Sequence, residues 1–329
     1  MSHIALIGAG AWGTTLAVLL AEKGYEVSLW VYENALAQEI KRTRINRVYL
    51  PQVSLLDKIK VSDDIEEVMK DAEYILNAVP TQHIREVFKN TPPHISQDAV
   101  VVSVSKGIEK RTLLTPSQVL RELLGRDVAV LSGPTFAKEV IRRLPTAVTV
   151  ASTDGNVGIR LQGLFSTDYL RVYTHQDVLG VELGGALKNV IAIACGISDG
   201  LALGFNARAA LISRGLAEIT RLGVAMGARE NTFRGLSGLG DLILTCTSPI
   251  SRNYTVGLEL GGGRRLKDIL SGMVVVAEGI ATAESAYELS QRYKVEMPIV
   301  EQVYSIIYKD KDPATAVRDL MNRSLKSEF

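Results

Sequence analysis

The chain has 329 residues, more than one ordinary domain needs and enough for two. Apolar residues make up 47 % and charged residues 22 %, the balance of a soluble globular protein with a substantial core. The 37 basic side chains nearly cancel the 36 acidic ones, so no net field argues for nucleic acid or an anionic membrane as a partner.

The N-terminus, "MSHIALIGAG", has no cationic leader before its apolar run, which soon reaches glycine. No signal peptide is read there, and no uninterrupted apolar span of about 18–20 residues follows. The two cysteines, Cys195 and Cys246, lack metal-ligand spacing and are too few for a disulfide framework, so no metal is expected. These features together predict a cytoplasmic protein with no membrane span.

From residue 3 to about 175, short β-branched runs alternate with amphipathic stretches. The strands are expected in "HIALIG", "YEVSLWV", "AEYILNAV", "AVVVSVS", "VAVLSG", "TAVTVAS" and "LRVYTH", with "KIKVS" a weaker case. Several are apolar on both parities, as strands covered on both faces must be. Between them, helices are predicted over 11–23, 34–44, 64–70, 82–89, 115–124 and 155–165. This alternation is the signature of an open, mostly parallel, doubly wound sheet. After His175 the texture turns helical: 178–197, 207–226, 251–260, 279–293 and 299–308, with Pro249, Pro298 and Pro313 at or before helix starts. The expected plan is therefore α/β, with residues 1–180 forming a dinucleotide-binding Rossmann-type domain and 181–329 an all-α substrate and catalytic domain.

"IALIGAGAWGTTLAVLLAEKGYEVSLW" is a strand, a G-x-G-x-x-G turn, a helix and a second strand. Gly8 permits the tight turn, Gly10 lets backbone approach a pyrophosphate, and Gly13 permits close helix–strand packing. Helix-start N–H groups then face the phosphates. Glu33 stands where an acidic residue would accept from the ribose hydroxyls of NAD, or where one would cap the next helix. Arg42, Arg44 and Arg47 are near enough for one to face the 2′-phosphate of NADP. Both dinucleotides fit, with a lean to NAD.

Ligands of open parallel sheets bind beyond the carboxyl ends of the strands. One such exit carries Pro80 and Thr81. Another delivers Lys106, either a functional cation or a solvated lysine at a loop start. A third, "LSGPTFAKE", offers Gly133, Thr135 and Ala137 at a probable helix start. In the helical half, Lys188 and Asn189 sit in "VELGGALKNVIAIACG", a stretch dominated by glycine, alanine and aliphatics. Burying an ammonium costs several kcal/mol unless something compensates it. "GLSGLGDLILTCTSPISRN" reads as a glycine-rich loop followed by Asp241, Thr245 and a helix start at Ser251, Arg252 and Asn253. Those last three make a phosphate clamp, or a helix cap beside a surface arginine. Glu278 follows an apolar segment and is either a ligand contact or an N-terminal helix acid. A lysine in a partly desolvated site suits proton transfer to a carbonyl oxygen during hydride transfer. Lys188 has that setting, Lys106 can serve as a second cation, and Asp241 can balance the ammonium. The alternative for Lys188 is a lysine snorkelling from the core edge.

"GAGAWGTTLA", "SKGIE", "SGPTFAKE", "ELGGALKNVIAIACGISDGL", "NARAALISRGLAE" and "GLGDLILTCTSPISRN" closely resemble bacterial NAD(P)-dependent glycerol-3-phosphate dehydrogenase. The resemblance implies an oxidoreductase that interconverts sn-glycerol 3-phosphate and dihydroxyacetone phosphate in phospholipid precursor synthesis. It implies Lys188 as the proton acceptor in oxidation and the donor in reduction. Substrate contacts would fall on Lys106, Gly133, Thr135, Lys188, Asp241, Ser251, Arg252 and Asn253. Dinucleotide contacts would fall on Ala11, Trp12, Tyr32, Tyr49, Lys106, Ala137, Arg252, Val276 and Glu278, besides the three glycines. A homodimer is implied as well. Relatives often carry histidine or arginine where this chain has Tyr32 and Glu33. A ketopantoate-type or 6-phosphogluconate-type dehydrogenase and a dinucleotide-sensing regulator are the competing readings.

Overall fold

A computed structural model describes residues 2–273, 277–325 and 327–328. It divides into two compact units, Met1–Lys106 with Leu114–Glu182, and Gly107–Leu113 with Leu183–Phe329. The segment 107–113 groups with the second unit, where the Ser285 hydroxyl donates to the Ile108 carbonyl (3.3 Å) and Lys110 pairs with Glu284 (2.7 Å).

The first unit contains strands β1 (His3–Ile7), β2 (Glu26–Trp30), β3 (Ile45–Asn46), β4 (Leu50–Ser54), β5 (Ile59–Ser62), β6 (Tyr74–Asn77), β7 (Val100–Ser103), β8 (Val128–Ser132), β9 (Thr146–Ala151) and β10 (Leu170–His175). Its helices are α1 (Ala11–Glu22), α2 (Asn34–Thr43), α3 (Ile65–Met69), α4 (Ile84–Phe88), α5 (Pro116–Leu124), α6 (Ala137–Val140) and α7 (Gly155–Phe165). Among the described residues, eight strands form one sheet in the order β10-β9-β8-β7-β6-β1-β2-β5. All neighbours run parallel except β8 and β9.

A parallel sheet must be covered on both faces, and the period-2 alternation of strand side chains divides the core accordingly. Ile4, Leu6, Tyr74, Leu76 and Val102 join one apolar cluster. Their strand neighbours Ala5, Ile7, Ile75 and Val101 join another. Every strand expected from the sequence is present. The β3–β4 hairpin is an addition, too short and too broken by Pro51 to show as an alternating run.

The second unit is helical: α8 (Val178–Gly200), α9 (Gly204–Ala225), α10 (Asp241–Thr247), α11 (Arg252–Gly261), α12 (Leu266–Ser271), α13 (Glu278–Tyr293), α14 (Pro298–Tyr308) and α15 (Pro313–Met321). Helix α8 is long and apolar enough to cross a bilayer by composition alone. Its residues 181–198 are instead all buried by protein, Glu182 and Lys188 among them. Glycines bring its backbone against that of α11. A Cβ at Gly196 or Gly200 would collide with the Tyr254 or Leu258 carbonyl, and one at Gly257 or Gly261 with those of Ile193 or Ile197. These glycines of α8 and α11 thus serve a close helix crossing.

The stretch read as a glycine-rich loop is helical. Residues Leu236–Gly240 form one wide π-type turn, in which the Gly240 N–H donates to the Gly235 carbonyl (3.2 Å), and it runs directly into α10. Its glycines mislead because they answer to packing. Gly238 lies on the Phe233 backbone, and Gly184 of α8 faces the Ser237 carbonyl.

Candidate active site

Two of the three loop glycines are fixed by the protein itself. Gly8 has φ +113°, and a Cβ there would stand 2.9 Å from the Ala78 backbone; one at Gly13 would strike the Gly8 carbonyl. Gly10 differs. It caps α1 with no side-chain hydrogen bond, and nothing lies within 4 Å of its absent Cβ. The open approach to the start of a 12-residue helix fits a dinucleotide pyrophosphate.

Asn46, fully buried in β3, ties this loop to the hairpin. Its amide donates to the Ala9 carbonyl (2.7 Å) and the Thr14 hydroxyl (2.9 Å), while its carbonyl accepts from the Tyr49 N–H (3.1 Å). Tyr49 in turn donates its hydroxyl to Glu33 (3.3 Å). Glu33 occupies the N-cap position of α2, yet its side chain makes no capping bond. Tyr32 is 76 % exposed and meets Trp30 edge-on. Ala11 opens α1, and Trp12 packs against the core.

At the exits of β7 and β8, Lys106 Nζ donates to the Gly133 carbonyl (2.8 Å) and the Thr135 hydroxyl (3.3 Å), bringing three of the expected residues together. Gly133 has φ +141°, a conformation that side chains disfavour. The helix expected to open around Gly133 begins only at Ala137 and is four residues long, and the Gly133 carbonyl before it faces Lys106. A buried network stands beside it. Asn77 donates to Ser103 (3.3 Å) and Ser105 (3.2 Å), and Ser105 donates to the Val79 carbonyl (2.6 Å).

In the second unit, Lys188 is 6 % exposed. Its ammonium donates to Asp241 Oδ1 (2.5 Å) and the Thr245 hydroxyl (2.6 Å). The Thr245 hydroxyl donates in turn to the Asp241 backbone carbonyl one turn back (2.7 Å). The compensation that burial demands is therefore a carboxylate and a hydroxyl on successive turns of α10. Cys246 lies next along that helix. Burial, with Cys195 beside it, pushes its thiol well above the ordinary range, which leaves it protonated and inert.

Ser251 is the N-cap of α11, its hydroxyl accepting from the Tyr254 N–H (3.3 Å). Arg252 begins the helix and is exposed overall, with its guanidinium partly shielded. Desolvation of its guanidinium lowers its pKa, against the opposing pull of the Glu278 carboxylate. Asn253 is turned inward, donating to Asn189 Oδ1 (2.9 Å) and accepting from the Gly279 N–H (3.0 Å). Glu278 is the first residue of α13. Val276 lies outside the described residues. Among the described residues, no cluster of His, Cys, Asp or Glu could hold a metal ion.

The bracing residues Asn46, Asn77 and Ser105 carry no spacing signal in the sequence, and Asn189 shows there only as the neighbour of Lys188. Thr245 was legible only as part of its cluster.

The fold and site define a two-unit, dinucleotide-dependent oxidoreductase. The model of the NAD-dependent glycerol-3-phosphate dehydrogenase N-terminus matches residues 3–157, and that of the C-terminus residues 177–318. The chain is 55 % identical to "Glycerol-3-phosphate dehydrogenase [NAD(P)+]" of Syntrophotalea carbinolica over 99 % of each chain. It is 53 % identical to the protein so named from Citrifermentans bemidjiense, covering 99 % of this chain and 98 % of that one. A crystal structure of glycerol-3-phosphate dehydrogenase from Coxiella burnetii, 40 % identical, superposes with a TM-score of 0.94 over 98 % of this chain and 99 % of that one. The chain belongs to the NAD(P)-dependent glycerol-3-phosphate dehydrogenase family.

Proposed function

We propose that the chain reversibly interconverts dihydroxyacetone phosphate and sn-glycerol 3-phosphate, with Lys188 handling the hydroxyl proton. The observation that carries this role is an ammonium buried beside Asp241 and Thr245, in a family whose members are named for this reaction. When bound, the dinucleotide supplies or accepts the hydride. As charge grows on the substrate's central oxygen, Lys188 donates a proton there, and Asp241 holds the amine in place and balances its charge. A positioned acid of this kind contributes about 10²–10⁴-fold in rate.

Arg252, exposed at the start of α11, is suited to grip the substrate phosphate, its guanidinium acting with the helix-start N–H groups. Asn253 has a different part in this reading. With both ends of its amide engaged, it braces α8 and α13 around the Ser251–Arg252 corner. Lys106, Gly133 and Thr135, held together at the exits of β7 and β8, are suited to contact a ligand. The family resemblance further supports a cytoplasmic homodimer that feeds glycerophospholipid synthesis.

A substrate panel tests the reading. Purified protein with NADH or NADPH should reduce dihydroxyacetone phosphate far better than unphosphorylated dihydroxyacetone or ketopantoate. Turnover of a carboxylate substrate, with none of the triose phosphate, would assign the chain to another dehydrogenase. Dinucleotide binding without reduction of any small ketone would make it a sensor.

A further inference from the structure

The exit of β2 bears on which dinucleotide the proposed reaction uses. Glu33 stands 20 residues past Gly13 and three past the end of β2. This is where a dinucleotide fold reads the adenosine ribose, with an acid for a free 2′-hydroxyl or an arginine for a 2′-phosphate. Its carboxylate is not consumed by capping α2. The Tyr49 hydroxyl steadies it instead, from a hairpin that Asn46 fastens to the glycine loop. A second carboxylate, Asp63, follows β5, the strand next to β2. Asn34 and Lys41 hold its pKa below the ordinary range.

The nearby arginines are committed elsewhere or stand off. Arg44 donates to the Leu56 and Ile59 carbonyls, and Arg47 pairs with Glu39 (3.4 Å). Arg42 lies in the last turn of α2, about 12 Å along the axis from its first residue at 1.5 Å per residue.

We infer that this chain selects NAD(H) over NADP(H), and that Glu33 is the selecting residue: its carboxylate accepts a hydrogen bond from the ribose 2′-hydroxyl and repels a 2′-phosphate. The inference rests on the dinucleotide-binding reading above. Attraction of the right ligand and repulsion of the wrong one both add to the difference in affinity that sets specificity.

Fluorescence titration of the full chain with NADH and NADPH tests it, with 5′-AMP and 2′,5′-ADP as competitors. NADH should bind at least about 10-fold tighter than NADPH, and 5′-AMP should displace it at lower concentration than 2′,5′-ADP does. Glu33→Gln, on an exposed side chain, should tighten NADPH at least about 5-fold and so narrow the gap. NADPH binding as tightly as NADH to the wild type, or a gap that Glu33→Gln leaves unmoved, would overturn the inference. If neither dinucleotide binds, it falls together with the reading beneath it, a result distinct from the other two.

Discussion

Helix α8 buries two charged side chains six residues apart, and they are compensated in different ways. Glu182, 4 % exposed, accepts from the Thr115 hydroxyl (2.6 Å), the Ser117 N–H (2.8 Å) and the Ser117 hydroxyl, all at the start of α5. Lys188, 6 % exposed, is held by two side chains of α10. The first carboxylate takes up an N–H that the start of α5 leaves without an intrahelical partner, together with two hydroxyls. The second charge meets an opposite charge, the Asp241 carboxylate, beside a single hydroxyl. Burial alone therefore does not mark a reacting group; the chemistry of what compensates it does.

The sharpest test of that distinction is Lys188→Ala. Turnover should fall by about 10²–10⁴-fold while dinucleotide affinity stays near wild type. Turnover within a few-fold of wild type would place Lys188 with Glu182 as a structural charge. Asp241→Ala comes next. Breaking a buried pair from one side costs about 3–5 kcal/mol, because the surviving charge is stranded. Denaturant unfolding should show that loss, and Lys188→Met combined with Asp241→Ala should recover much of it, since neither charge then remains. Additive losses in the double variant would mean that the two groups are not coupled.

Glu218 widens the comparison to a third buried charge. From α9, 1 % exposed, it accepts from the N–H groups of Ile299 (2.8 Å) and Val300 (3.2 Å) at the start of α14. Burial raises its carboxyl from the model-peptide value of 4.5 to about 7, outweighing those hydrogen bonds and the pull of Arg221 and Arg214. A raised folded-state pKa means that the native protein holds the proton more tightly than the unfolded chain. Stability from this group is complete below about pH 4.5 and is lost as pH rises towards about 7, a change of about 3 kcal/mol. Between pH 5 and 7 the unfolding free energy of wild type should fall more steeply with pH than that of Glu218→Gln, and the two slopes should meet above about pH 7. Identical slopes in both proteins throughout would remove Glu218 as their source.

The sequence shows some of these differences and hides others. The eight sheet strands are legible because covering a parallel sheet on both faces imposes long apolar runs. Lys188 stands out because a lysine in such a run needs an explanation, and Asp241 because a glycine-rich stretch precedes it. The π-type turn and α10 are not legible, since glycine reads as a loop while here it accommodates the Phe233 backbone. Asn46 escapes notice because its three partners lie on the glycine loop and the hairpin, and only the fold brings those together. Glu182 and Glu218 look like ordinary helix-surface acids until the helix starts they cap are in place.

The smallest predicted effect is the one that separates a brace from a reacting group most directly. Glu182→Gln keeps a carbonyl oxygen for the Ser117 N–H and replaces the second oxygen with an NH₂ facing the Thr115 and Ser117 hydroxyls. Hydroxyls rotate, so both can turn to accept. Burial also pushes the Glu182 carboxyl upward, towards a protonated form that glutamine resembles in shape and charge. The substitution should therefore cost about 1 kcal/mol of stability, and Glu182→Ala, which strips the Ser117 N–H of its partner, about 1–3 kcal/mol. Turnover by either folded variant should stay within a few-fold of wild type. A loss of 10²-fold in Glu182→Gln at unchanged stability would show that a charge held by helix-start donors can serve the chemistry after all, and the contrast with Lys188 would no longer hold.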